Sequence, residues 1–173
     1  MQPSASVPAP VPPPGPDPWA VRPGAPDAYP VSDAAAYLTG EWTVERALFD
    51  LAADRSGSFH GTAVFRAVDG GRLLHTEDGE LRWHGTAAPA GRTLVLLPGP
   101  DGTCDVMFSD GRFFHDLDLR TGGWTVSHPC AADSYEGAFV AVSPEEWRVR
   151  WRTTGPAKDH LQHTVYRRRA AGR

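Results

Sequence analysis

The sequence predicts an all-β protein: an antiparallel up-and-down barrel of about ten strands with one short N-terminal helix. Three observations predict it. Beyond Gly40 apolar and polar residues alternate with a period of two, and no helical period returns. The alternating runs are separated by Asp69-Gly70-Gly71, Pro98-Gly99-Pro100-Asp101-Gly102, Asp110-Gly111 and Thr121-Gly122-Gly123, whose glycines allow the positive φ of tight hairpin turns. No segment is suited to a crossover helix, so consecutive strands run antiparallel, and closing such a sheet removes its edges.

The elements follow in order. Residues 1–30 hold 11 of the 17 prolines. Proline lacks a backbone donor and restricts its predecessor, so this stretch predicts a disordered extension of polyproline-II character. Pro8, Pro12 and Pro13 resemble a proline-helix ligand for an aromatic groove; the alternative is a spacer. The stretch lacks the basic and apolar regions of a secretory signal, so the expected location is the cytoplasm. Residues 31–173 then form one domain. Ser32 is the expected cap of a helix through Ala34, Ala35 and Ala36, and Gly40 its left-handed stop. Strands are expected at 42–50, 59–68, 72–77, 80–84, 93–97, 103–109, 112–119, 124–130, 134–142, 147–153 and 160–168. If Gly79 is a bulge inside one long strand, two of these merge and ten remain.

Composition excludes several functions. A net charge of −4 and a pI near 5.9 argue against a nucleic-acid partner. Two cysteines cannot make a disulfide framework. No apolar run reaches the 18 or so residues of a membrane helix. Oligomeric state is not legible.

Alternation nominates site residues. Phe113, His115, Leu117 and Leu119 share one face, which is expected to point inward. His128 and Cys130 share a face on the next strand, as do Asp133 and Tyr135 on the strand after it. His115, His128, Cys130, Asp133 and Tyr135 are therefore expected to gather at one level, an arrangement suited to acid–base work. Their spacing matches no zinc site, and no metal is expected. Trp147, Val149 and Trp151 face inward, opposite Arg148, Arg150 and Arg152. Glu77 shares inward parity with Leu73 and His75. Lys158 is the single lysine against 16 arginines, which singles it out for a compact or tunable amine; the alternative is an exposed ion pair with Asp159.

Gly40-Glu41-Trp42 resembles the Gly-x-Trp signature of the calycin group, which includes the lipocalins. That resemblance implies a calycin-like barrel whose last strand packs an arginine over Trp42, with Arg167, Arg168 or Arg169 in the right order. More specifically, the body resembles the uncharacterised family catalogued as domain of unknown function 6314. The matching stretches are Leu38–Trp42, Phe59-His60-Gly61-Thr62-Ala63, Asp110–His115, Leu117-Asp118-Leu119, His128-Pro129-Cys130, Asp133–Gly137, Trp147 with Trp151, and Gly155-Pro156-Ala157-Lys158-Asp159. No activity comes with that resemblance.

The functional expectation is a barrel that encloses a small hydrophobic or amphipathic molecule in a central cavity. His115, His128, Asp133 and Tyr135 would be polar anchors, with Phe113, Cys130, Trp147, Trp151 and Glu77 as further lining. Three alternatives use the same chain. One is a cofactor-independent isomerase or cyclase using the histidines, Asp133, Tyr135 and Lys158. The second is haem binding through His115 or His128, although no cofactor is required by the sequence. The third is a scaffold acting through the proline-rich extension.

Overall fold

The computed structural model describes residues 27–170. Helix α1 (Ala34–Leu38) precedes ten strands: β1 (Gly40–Asp50), β2 (Arg55–Val68), β3 (Arg72–Trp83), β4 (Thr86–Pro98), β5 (Cys104–Phe108), β6 (Phe113–Leu117), β7 (Gly123–Cys130), β8 (Asp133–Ser143), β9 (Glu146–Gly155) and β10 (Lys158–Arg168). Every ladder is antiparallel, and β1 also pairs with β10, giving the order β6-β5-β4-β3-β2-β1-β10-β9-β8-β7. The sheet curls into a nearly closed barrel. Between β6 and β7 side chains meet, but no ladder forms. Among the described residues no helix is long and apolar enough to cross a membrane.

Gly79 sits inside β3 and marks no turn. It pairs with Gly61, and a Cβ at Gly79 would lie 2.8 Å from the Phe59 ring. The missing side chain is the space the Phe59 ring uses.

The two ends of the barrel differ. One is plugged by α1, whose Ala34 and Leu38 are buried together with Val31. Asp33, not Ser32, caps the helix, accepting from Ala36 N at 3.0 Å. Asp33 directly precedes the first helical residue in extended conformation, and Ser32 lies one position too early. The helix ends at Thr39, and Gly40 turns the chain into β1 at φ 120°. Backbone bonds at this end bridge the β6–β7 connection to β8: Tyr29 N donates to Ala141 O at 2.8 Å, and Val31 N to Leu119 O at 3.0 Å. Ordered packing thus begins before Val31. Residues 1–26, the rest of the proline-rich extension, lie outside the described residues.

Arg168 closes the plugged end. It is the cross-strand partner of Trp42, and its guanidinium lies 4.1 Å from a Trp42 ring centroid. It donates to Tyr37 O at 2.6 Å and Thr39 O at 3.0 Å, while Trp42 Nε1 donates to Leu38 O at 2.8 Å. One side chain therefore ties β10, β1 and the helix exit together. Arg168→Ala should cost about 2 kcal/mol in urea denaturation, since it removes charged hydrogen bonds and a cation–π contact. Arg168→Lys should restore only part of this, because an ammonium cannot form the planar fork.

Candidate functional site

A polar layer crosses the barrel at mid-height. Alternation on β1 turns Trp42, Val44 and Arg46 inward, and the same parity on β3 turns in Leu73, His75 and Glu77. The Glu77 carboxylate is only 1% exposed. Arg46 Nη2 donates to Oε2 at 2.8 Å and to Oε1 at 3.1 Å, and Arg92 Nη2 donates to Oε1 at 2.9 Å. The Tyr166 hydroxyl also donates to Oε1, and accepts from Arg46 at 3.2 Å and Arg92 at 3.1 Å. His75 Nε2 lies 3.4 Å from Oε1 without hydrogen-bond alignment, and its ring stacks on Phe65 at 4.0 Å.

Burial alone would push the Glu77 carboxyl up. The His75 contact and the Arg92 and Arg46 charges outweigh it and hold the group well below the usual carboxylate range. Burial pushes the His75 imidazole down, against the pull of Glu77. Burial likewise pushes the Tyr166 phenol up to about 12.

On the helix side of this layer the barrel is nearly filled. The remaining chamber has a volume of about 40 Å³, lined by residues including His75, Phe114, His115, Trp147 and Trp151. It has room for one or two waters and none for a porphyrin. A bulge explains the filling. Val106 pairs with His115, but Met107 pairs with Phe113, so Phe114 is the extra residue. Phe114 consequently turns inward beside His115, which keeps its inward parity with Leu117, and Phe113 is left 51% exposed. The inward Phe113 expected from strict alternation is thereby corrected. Phe114 stacks on Trp151 at 5.2 Å and on Phe108 at 4.5 Å. Trp151 reaches this position because it lies over Gly137, where a Cβ would be 2.8 Å from its ring.

On the other side of the layer the barrel is open. A cavity of about 270 Å³ is floored by Arg46, Glu77 and Arg92 and walled by Leu48, Phe59, Leu81 and Gln162. Next to it a groove of about 230 Å³ shares Leu48, Leu81 and Gln162 and adds Phe49, Trp83, His160 and Leu161. A third space of about 490 Å³ lies where β6 and β7 part, lined by Phe108, Arg112, Phe113, Phe114, His128, Cys130 and Tyr135.

The cluster expected from the sequence divides in two. His128 pairs with Tyr135, and exposed Cys130 pairs with Asp133, all at the open end. His115 lies deeper, with Phe114 packed against both it and His128, at 4.8 and 5.8 Å. His115 Nδ1–H donates to Asp116 O at 2.7 Å, and burial pushes its imidazole down to about 4. Lys158 pairs with Asp133 at 2.6 Å, and not with Asp159, which takes Arg152. The Asp133 hydrogen bond pushes the Lys158 amine up, so it is held as an ammonium, not the free amine a Schiff base needs. Trp147 is buried and stacked on Tyr166 at 3.9 Å, its Nε1 without a partner among the described residues. Sequence reasoning missed Arg46, Arg92 and Tyr166. The signal for Arg46 was present in its parity with Trp42 and Val44, whereas Arg92 fell just outside the strand expected at 93–97.

Comparison with known proteins adds the following. Residues 38–168 match a family described as "Family of unknown function (DUF6314)". No curated protein matches the chain. Among solved structures, the S-type phycobiliprotein lyase CPES from Guillardia theta aligns with a TM-score of 0.61 at 8% identity, covering 80% of this chain and 92% of that one. A protein of unknown function from the DUF3598 family of Nostoc punctiforme aligns at 0.47 and 12% identity, over 83% of this chain and 51% of that one. A de novo designed fluorescence-activating barrel aligns at 0.43 and 16% identity, over 80% and 100%. At 8% identity the likeness to the lyase speaks to fold alone.

Two predictions follow from the buried groups. Glu77→Ala strands two guanidinium groups and should destabilise the barrel by about 3 kcal/mol, with Glu77→Gln costing less. Acid should also weaken the fold through His115. Its folded value of about 4 lies below its ordinary 6.5, so its contribution is full above pH 6.5 and is lost as pH falls toward 4. That loss amounts to about 3 kcal/mol. His115→Gln should remove this part of the slope when urea denaturation is repeated at stepped pH; an unchanged slope would refute it.

Proposed function

The chain belongs to the DUF6314 family, described as of unknown function, and from its cavity geometry we propose that it binds one small amphipathic molecule at the open end of the barrel. The observation that carries this is the pairing of a charged floor with apolar walls. Arg46, Glu77 and Arg92 form the floor of the 270 Å³ cavity, and Leu48, Phe59 and Leu81 rise from it toward Trp83, with Gln162 and His160 at the rim. Ligand sites have this composition: mostly apolar lining with a few placed polar groups. The ligand belongs at the mouth and not in the centre, because Phe114, Trp151 and His115 leave only about 40 Å³ there. The likeness to a phycobiliprotein lyase supports only the architecture in which such a mouth forms.

Acid–base catalysis by the sequence-derived cluster has less support. His115 is walled off by Phe114 and disposed to stay neutral, and Lys158 is held charged by Asp133. In the proposed reading His128, Asp133, Tyr135 and Lys158 form the polar rim beside the β6–β7 opening, and Trp147 and Trp151 back the cavity without touching the ligand.

Leu81 lines both the cavity and the groove and is half-buried, so a larger side chain there fills the mouth at little cost to the fold. The protein should quench or enhance Trp83 fluorescence on titration with decan-1-ol or decanoate. Leu81→Trp should weaken the binding of both by tenfold or more in calorimetry with a nearly unchanged melting temperature. Equal binding by Leu81→Trp would place the ligand elsewhere.

A further inference from the structure

We infer that the molecule bound at the open end is a carboxylic acid, and that its carboxylate docks against Arg92 and Arg46 from the open side of the polar layer. This rests on the mouth-binding reading above and adds the chemistry of the occupant.

The first observation is the charge count. Two guanidinium groups face one carboxylate, Glu77, and no other acidic side chain lines the cavity. His75 and Tyr166 do not change the balance, since burial favours the neutral form of each. The layer therefore carries one unbalanced positive charge inside the barrel. The excess lies on the side that opens to solvent through Arg92, and a single bound carboxylate would complete the set.

The second observation is the donor count. Arg46 spends Nε on Thr164 Oγ1 at 2.9 Å and Nη2 on Glu77 and Tyr166. Arg92 spends Nη2 on the same two groups. Arg92 Nε is buried and has no partner among the described residues. The arginine nonetheless keeps 37% of its side chain accessible, and it lines the open cavity. Arg92 Nε is shut off from the cavity and its neighbouring Nη2 is already spent, so the donors left for a carboxylate in the cavity are the Nη1 groups of Arg92 and Arg46.

The third observation is direction. From this floor the lining is mostly apolar through Phe59, Leu48 and Leu81 to Trp83, with Gln162 and His160 as its polar members. An acid whose charge is at the bottom would lay its apolar body along those side chains toward the rim. The single excess charge matches a monoanion, and it disfavours a cationic amphiphile outright.

Calorimetric titration of the full chain at pH 7 with decanoate, decan-1-ol and decyltrimethylammonium tests this. Decanoate should bind at least tenfold more tightly than decan-1-ol, and the cation should not bind. Arg92→Gln leaves Arg46 and Glu77 balanced and should reduce decanoate binding at least tenfold while leaving decan-1-ol within twofold. Glu77→Gln raises the excess charge and should tighten decanoate, which keeps the idea testable if Arg92→Gln does not fold. Decanol bound as well as decanoate, or both weakened equally by Arg92→Gln, would overturn the carboxylate assignment and leave mouth binding standing. Binding of neither would overturn both.

Discussion

A single buried carboxylate constrains the whole barrel. Glu77 can be dehydrated only if donors from other strands reach it at the same height, and these come from β1, β4 and β10. Their positions are fixed by register: Glu77 pairs with Arg92, Arg46 with Thr164, and Val44 with Tyr166. A slip of one residue in any of these ladders would turn a partner to the outside and strand the charge. The polar layer thus selects one register for four strands together, which purely apolar positions would do less sharply.

A second constraint acts at the seam. β6 and β7 share no ladder, so something other than backbone pairing must hold them together. At the plugged end the segment 29–31 bridges the β6–β7 connection at Leu119 to β8 at Ala141. At the open end the Phe114 ring reaches β5 through Phe108, β7 through His128 and β9 through Trp151. The bulge that turns Phe114 inward closes the seam and fills the centre in one step. Both effects leave the remaining space at the mouth.

Much of this was legible in the sequence, and what was not has a common cause. Glycine-marked turns and period-two alternation depend on neighbours in the chain, so about ten strands and the inward Trp147 and Trp151 could be read directly, while Gly79 left open whether β3 was one strand or two. Arg168 over Trp42 was legible only through resemblance, since 126 positions separate them. The bulge at Phe114 was not legible, because its cause is the pairing of Met107 with Phe113 across β5 and β6. Strict alternation then assigned Phe113 to the interior and Phe114 to the surface, the reverse of what folds. Glu77 was read as inward, but its partners were not, because an inward arginine is recognised only once its carboxylate is known to lie opposite. The cluster of His115 with His128 divides for the bulge's reason: His115 is inward by its parity with Leu117, and the bulge places Phe114 against both histidines.

The polar layer raises a question that stability alone does not answer. Replacing a buried ion network by well-packed apolar side chains is often neutral or stabilising, since every charge must first be dehydrated. This barrel already packs leucine, phenylalanine and tryptophan densely around its 40 Å³ chamber. Extending that packing upward would have closed the mouth and removed the cost. Instead the apolar filling stops at a layer with more positive than negative charge, and the space above it stays open. In the proposed reading the missing charge arrives with the ligand that occupies the open, apolar-walled space above this floor.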